Sequence, residues 1–171
     1  MIPADATGPA SAGPFFDGLA KAVRVATGLV LVVLVILVGG EAALRGLFNH
    51  SLGYVEEVTG YLVVALTFFG AALALRSEAL FRVDFLYNTL PEGARKWALR
   101  GFALLGLAIC AILVWKTWGT MASSLDRGKV SSSVLRTPVW IPQLLMPAGF
   151  AVLGLFLVEK LIVSFRKNGD R

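Results

Sequence analysis

The chain has 171 residues, of which 57% are apolar and 16% are charged, and its mean hydropathy is +0.75. Soluble domains contain about 45–50% apolar and about 25% charged residues, so the composition excludes a soluble enzyme, a disordered protein and a disulfide scaffold, and indicates an integral membrane protein. The net charge of +5 is accounted for by membrane topology, and we expect contact with the lipid bilayer and no nucleic-acid partner.

Four long intervals without charged residues predict four transmembrane helices. The second and fourth contain 18 and 22 residues, which fits a membrane helix directly, whereas the first and third contain 16 and 15 and must extend past flanking charges. We predict spans at about 20–44, 57–76, 97–119 and 138–161, within a transmembrane domain at 19–163. Tails at 1–18 and 164–171 flank this domain. Runs such as 29–37 do not alternate, so membrane strands are not expected.

The distribution of lysine and arginine predicts the orientation. Four spans place both termini and the middle connection on one side, which carries eleven basic residues against five on the other. The positive-inside rule therefore places both termini in the cytoplasm.

The first outer connection ends in two adjacent acids, Glu56 and Glu57, just before the second span. Adjacent helical positions point about 100° apart, so the two carboxylates are not expected to share catalytic work. They either complement the dipole of the helix start or meet a partner's arginine, and Arg45 lies on the same side.

The middle connection contains an amphipathic segment, predicted as a helix at about 77–90 that lies in the cytoplasmic interface. Phe81 and Phe85 interrupt its polar arc. In the alternative interpretation, the second span continues as a helix into the cytoplasm. Pro91 then begins a new helix. The residues assigned to this interfacial element are Arg76, Leu80, Val83, Asp84, Leu86 and Tyr87.

Four tryptophans are predicted to anchor the spans at the membrane surfaces: Trp97, Trp115, Trp118 and Trp140. Trp97 and Trp115 are separated by about 27 Å along a helix, close to the thickness of the hydrocarbon core of about 30 Å. The alternative is that the indoles pack between helices.

The second outer connection is rich in serine and contains Asp126, Arg127 and Lys129. It lies where an extracytoplasmic protein would dock, and the alternative is a solvated loop. We therefore take Arg45, Glu56, Glu57 and these three residues as candidate contacts for a partner or receptor.

Several chemistries are not expected of this chain. Its single histidine, His50, lies outside the predicted spans, so a pair of axial haem ligands is missing, and no zinc cluster or Walker-type phosphate loop is present. The uncharged intervals contain no ionisable residue at mid-membrane except Cys110. The chain alone is therefore a poor candidate for an enzyme, pump or channel and needs no cofactor, although a sodium site of backbone carbonyls leaves no sequence signal.

The order of these features resembles the small membrane subunit (DctQ-type small permease) of tripartite ATP-independent periplasmic (TRAP) transporters, over residues 20–163. Glu56-Glu57, Tyr61 and Phe69-Gly70-Ala71 resemble its second-span entry. Arg76 to Asp84 with Leu90-Pro91 resembles its Arg-x-x-x-His-Ile-x-Val-Asp segment, and Pro138, Pro142 and Pro147-Ala-Gly149 resemble the entry to its last span. Leu80 replaces the usual histidine, so no role of that histidine carries over.

The resemblance implies a bacterial inner-membrane subunit of a sodium-driven organic-acid uptake system. Its partners would be a large membrane subunit that carries substrate and ions and a periplasmic solute-binding receptor. The small subunit would be a scaffold that helps to dock the receptor. Two alternatives remain open at this point: the four-span subunit of a tripartite tricarboxylate transporter, and a non-haem membrane anchor of a redox enzyme.

Overall fold

The computed structural model describes residues 12–77, 92–131 and 135–169, and these residues are mostly helical. The helices are α1 (Pro14–Phe48), α2 (Val55–Arg76), α3 (Glu92–Asp126), α4 (Trp140–Gln143) and α5 (Leu145–Gly169). Four stretches are long and apolar enough to cross a membrane, namely Pro14–Phe48, Val55–Arg76, Arg100–Asp126 and Trp140–Arg166. The predicted all-α class with four membrane-spanning helices is confirmed. Each predicted span overlaps one of these stretches.

The hairpin between α1 and α2 has clear local causes. Pro14 occupies the first helical position of α1, where a missing N–H costs no hydrogen bond. Asn49 ends α1 in the left-handed conformation, with φ at 48°, and its backbone N–H donates to the carbonyl of Arg45 at 3.2 Å. The chain can therefore reverse direction within a few residues before α2 begins at Val55.

The last span is interrupted between α4 and α5 by a proline. Pro147 has no N–H to donate to the carbonyl of Gln143, four residues earlier, and α4 ends at Gln143. Ala148 resumes the pattern by donating to the carbonyl of Leu144 at 3.2 Å. Before α4, an isolated antiparallel bridge joins Val130 to Pro138.

The order of the helices in space differs from their order in the chain. α1 packs against α2, α2 packs against α5, and α5 packs against α3. The core cluster is built around Phe156 of α5, which is almost fully buried, and the alanines Ala20, Ala72 and Ala103 face it. Small residues allow helices to approach closely in a membrane, where apolar burial alone does not drive association.

Gly149 of α5 packs directly against the side chain of Phe68 in α2. A methyl group at this position would overlap the ring of Phe68, so only hydrogen fits there without movement of the neighbour. Phe68 also packs edge-to-face against Phe150, with ring centroids 4.8 Å apart. The glycine of the predicted fourth-span entry is therefore a packing position.

The predicted interfacial helix at about 77–90 lies almost wholly outside the described residues. This includes Leu80, Val83, Asp84, Leu86 and Tyr87, and also Phe81, Phe85 and Pro91. Its amphipathic character therefore stays a prediction. The structure resumes at Glu92 with a chain that is already helical, five residues before the predicted start of the third span at 97.

Candidate functional site

A buried carboxylate organises the α1–α2 turn. Glu41 accepts hydrogen bonds from Arg45 Nε at 2.7 Å, from Ser51 Oγ at 2.7 Å and from the backbone N–H of Leu52 at 3.2 Å. Its side chain is only 9% exposed. A buried carboxylate needs such partners, because charge removed from water without compensation is strongly unfavourable. Glu41 thus fastens the turn to the end of α1.

Arg45 links this turn to the start of α2. Its Nη2 donates to Ser51 Oγ and to Glu56 Oε1, both at 3.1 Å. The adjacent Glu57 points elsewhere, since it accepts a hydrogen bond from the hydroxyl of Tyr61. We call Glu41, Arg45, Ser51 and Glu56 the Glu41 cluster.

Arg45, Glu56 and Glu57 are contacts that the sequence predicts, whereas Glu41 is not among the predicted residues. The structure brings Arg45 and Glu56 together within the chain and directs Glu57 to its own helix. The i, i+4 spacing of Glu41 and Arg45, which places both on one helix face, was the signal available for the missing residue.

A second charged cluster lies at the opposite end of the α1–α2 hairpin. Arg76 donates from Nε to Glu159 Oε2 at 2.9 Å and from Nη2 to Glu159 Oε1 at 3.0 Å. The same Nη2 also contacts Asp17 of α1. The Arg76 and Glu159 side chains are 10% and 3% exposed, whereas that of Asp17 is 57% exposed. We call these three residues the Arg76 cluster; it ties together α1, α2 and α5.

Arg76 is predicted both as the last residue of the second span and as part of the interfacial helix, and the structure shows its contacts with the helix bundle. Arg76 is the last residue of α2, and its guanidinium is directed into the helix bundle, 5.8 Å from the ring centroid of Phe156. Its partners Glu159 and Asp17 are not among the residues predicted from the sequence. A signal existed: Arg76 and Glu159 have opposite charges, and each is the first charged residue after a span that ends on the same predicted side.

Backbone hydrogen bonds join the described parts of the loop between α3 and α4. Lys129 N donates to Ser124 O at 3.1 Å, and Val139 N donates to Lys129 O at 3.0 Å. Asp126, Arg127 and Lys129 are all exposed. Arg127 and Lys129, with Lys116 and Gln143, line an open cleft of about 500 Å³ between this loop and the ends of α3 and α4, whereas Asp126 does not line it.

Three of the four predicted anchor tryptophans are exposed. The relative exposures of Trp97, Trp115 and Trp118 agree with side chains that face lipid or a partner, while Trp140 is half-buried. Their positions in the membrane interface stay predictions. Within residues 12–77, 92–131 and 135–169, no three His, Cys, Asp or Glu side chains are grouped so as to hold a metal ion.

Comparison with known proteins gives a family match over most of the chain. Residues 34–167 match the family described as tripartite ATP-independent periplasmic transporters, DctQ component.

Individual relatives agree with this match. The chain is 26% identical over 129 residues to the ectoine TRAP transporter small permease protein TeaB of Halomonas elongata, covering 74% of this chain and 66% of that protein. It is 29% identical over 98 residues to a putative TRAP transporter small permease protein of Haemophilus influenzae, covering 57% of this chain and 61% of that protein.

A third relative is much longer than this chain. The isethionate TRAP transporter permease protein DctMQ of Oleidesulfovibrio alaskensis is 23% identical over 118 residues, which are 68% of this chain and 18% of that protein. The aligned part thus spans less than two thirds of the length of each of these three relatives.

The family match favours the TRAP resemblance over the two other functional classes that the sequence left open, a tricarboxylate-transporter subunit and a redox-enzyme anchor. With its four membrane-spanning helices, the chain belongs to the DctQ family, the small permease component of tripartite ATP-independent periplasmic transporters.

Proposed function

We propose that this subunit is a scaffold, which supports a large ion- and substrate-translocating subunit and helps to dock a periplasmic solute receptor during sodium-driven uptake of an organic acid. Both termini lie in the cytoplasm in this proposal, as the distribution of basic residues favours. The Glu41 cluster and the α3–α4 loop then face the periplasm, and the Arg76 cluster faces the cytoplasm.

The pairing of the buried carboxylates within the chain is the main observation in favour of the scaffold role. Glu41 and Glu159 are the buried carboxylates among the described residues, and each holds an arginine and further donors from its own chain. Ionisable groups inside a membrane usually mark ion or proton pathways. Here they fasten helices and turns to one another, which suits a rigid support for a partner that performs transport.

The exposed face of α1 is a candidate surface for the large subunit. α1 packs mainly on α2, and it carries a long series of exposed apolar side chains that includes Leu29, Val32 and Ile36. The relative named DctMQ is a single permease protein of which the aligned region forms 18%. A fused chain of this kind supports a permanent partnership between a small and a large membrane part.

Acidic side chains at this end of the fold are candidates for receptor docking. The Glu56 side chain is 80% exposed although it pairs with Arg45, so one face of its carboxylate remains open to a partner. Glu57 and Asp126 lie at the same end of the fold. Exposed charges at an interface rim steer association and favour the correct partner more than they add affinity.

Co-purification and uptake measurements test this proposal. The affinity-tagged chain is co-expressed with a cognate large subunit and receptor in cells lacking their own system. We expect the large subunit to remain bound in detergent, and we expect uptake to require all three proteins. Sodium-driven uptake in proteoliposomes that contain this chain alone would overturn the scaffold role, as would absence of a stable complex.

Two variants of Glu56 separate docking from assembly. Glu56→Lys should lower receptor-dependent uptake, because it reverses the exposed negative charge offered to the receptor and places a second positive charge beside Arg45. The large subunit should remain bound. Glu56→Gln removes the charge but adds no repulsion and should have a smaller effect. Unchanged uptake by the Lys variant would remove Glu56 from the docking surface.

A further inference from the structure

The cleft at the end of α3 is basic on its described surface. Lys116 and Arg127 come from α3, Lys129 comes from the following loop, and no aspartate or glutamate is among the described residues that line the cleft. None of these three cations forms a salt bridge with a carboxylate among the described residues. The cleft therefore concentrates positive charge that the described part of the chain does not neutralise.

The remaining polar groups suit a headgroup that both donates and accepts hydrogen bonds. Hydroxyls of Thr120 and Ser123 line the same cleft. A hydroxyl can both donate and accept a hydrogen bond, so Ser123 can pair with a phosphate oxygen or with a headgroup hydroxyl. Thr120 already donates to the carbonyl of Lys116 at 3.0 Å, and its oxygen can still accept.

The face of α3 that carries this cleft changes from apolar to basic along its length. At 100° per residue, Lys116, Thr120, Ser123 and Arg127 share one arc. The same arc continues toward the start of α3 with four large side chains that are all exposed, namely Phe102, Leu105, Ile109 and Ile112. This face thus matches the parts of a lipid, since an apolar strip that suits acyl chains leads to a basic end that suits an anionic headgroup.

The part of the strip nearest the charged end agrees with one leaflet of the bilayer. Leu105 lies eleven residues before Lys116, about 16 Å along the helix, which is close to half of a hydrocarbon core of about 30 Å. Phe102 lies about 21 Å from Lys116 and reaches past the middle of the bilayer. The exposed indoles of Trp115 and Trp118 lie at this boundary, where aromatic side chains favour the headgroup region.

We propose that the cleft binds the headgroup of an anionic glycerophospholipid of the phosphatidylglycerol type. The phosphate would contact Lys116, Arg127 and Lys129, a glycerol hydroxyl would hydrogen-bond with Ser123 or Thr120, and the acyl chains would lie along Leu105 to Ile112. This site is additional to the scaffold role. The proposal does not depend on which leaflet of the bilayer surrounds this end of α3. It assigns Arg127 and Lys129 to lipid and leaves Asp126 and Glu56 for receptor docking.

Native mass spectrometry of the full chain tests the site. The protein is equilibrated with equimolar phosphatidylglycerol and phosphatidylcholine, and the retained lipids are counted. A basic residue at an anionic membrane surface contributes about fivefold in affinity, so we expect a preference for phosphatidylglycerol of at least about fivefold. The variant K116Q/R127Q/K129Q should bind the two lipids about equally.

A matched variant controls for net charge. K21Q/R24Q/R136Q also removes three exposed positive charges, at positions that do not line the cleft, and should keep the preference. Circular dichroism checks that both variants retain their helices. Equal loss of preference in the two triple variants would overturn the proposal, as would absence of a preference in the unmodified chain.

Two further measurements distinguish a lipid from other occupants. Excess inorganic phosphate should not displace phosphatidylglycerol, because it lacks the acyl chains that the apolar strip contacts; full displacement would show a simple anion site and overturn the lipid assignment. The cleft variant is also assayed for receptor-dependent uptake. Retained lipid preference with lost uptake would reassign the cleft to the receptor.

Discussion

Arg76 and Glu159, which lie 83 positions apart in the chain, form a two-pronged ion pair in which Nε and Nη2 donate at 2.9 and 3.0 Å to the two carboxylate oxygens. This pair joins the end of α2 to α5 at a point where both side chains are almost fully buried. Its geometry makes it the most direct target for testing what holds the helices together.

Glu159→Gln should lower the free energy of unfolding by about 3–5 kcal/mol, because it leaves the buried guanidinium of Arg76 without its principal counter-charge. Asp17→Asn should cost less than about 1 kcal/mol, since Asp17 is 57% exposed and its pairing with Arg76 is screened by water. Thermal unfolding in detergent, monitored through the loss of helical signal, measures the stability of both variants. Equal destabilisation by the two variants would show that burial does not decide the contribution.

The double variant Arg76→Leu with Glu159→Leu should recover most of the stability lost by Glu159→Gln. Removing both charges leaves no unpaired ion, and an apolar pair of similar size is often neutral or stabilising in place of a buried ion pair. The same unfolding assay gives the comparison. If the double variant is less stable than either single leucine variant, each residue stabilises the chain through contacts outside the pair, such as those of Arg76 with Asp17 and Phe156.

Gly149→Ala should destabilise the chain by about 1–3 kcal/mol, because the added methyl group overlaps the Phe68 ring and forces α2 away from α5. Gly60→Ala is the matched control, since that glycine also lies in a helix and has nothing within 4 Å of the added methyl group. The control should be neutral or stabilising by up to about 1 kcal/mol through helix propensity. Combining Gly149→Ala with Phe68→Leu should restore part of the loss, and failure to do so would argue against this contact as the cause.

Glu41→Gln should destabilise the α1–α2 turn, because Glu41 is a charged acceptor that holds Arg45, Ser51 and the Leu52 amide. Glu56→Gln should cost less than about 1 kcal/mol, since its side chain is 80% exposed. Hydrogen exchange of the amides of residues 49–54 checks the local effect. Exchange that rises equally in both variants would show that the two acids hold the turn to the same extent.

A reporter assay should place both termini in the cytoplasm and the α3–α4 loop outside. A green fluorescent protein fused to the C-terminus should fluoresce, because it folds on the cytoplasmic side. In a Cys110→Ala background, Val130→Cys should react with a membrane-impermeant maleimide added to intact cells, since Val130 is exposed in the structure. A dark fusion protein together with an unlabelled loop would indicate the opposite orientation.

The sequence by itself determined the class of the protein, the number of its spans and its family, because apolar runs, charge gaps and ordered motifs are local properties of the chain. It also pointed to Arg45 and Glu56, which the structure brings together across a short turn. The tertiary structure alone decided that α5 lies between α2 and α3, that Gly149 meets Phe68, and that Arg76 is neutralised by Glu159. These contacts depend on how each helix is rotated about its axis and on which helix it meets. The sequence of a helix that is apolar on most sides indicates neither its rotation nor its neighbour.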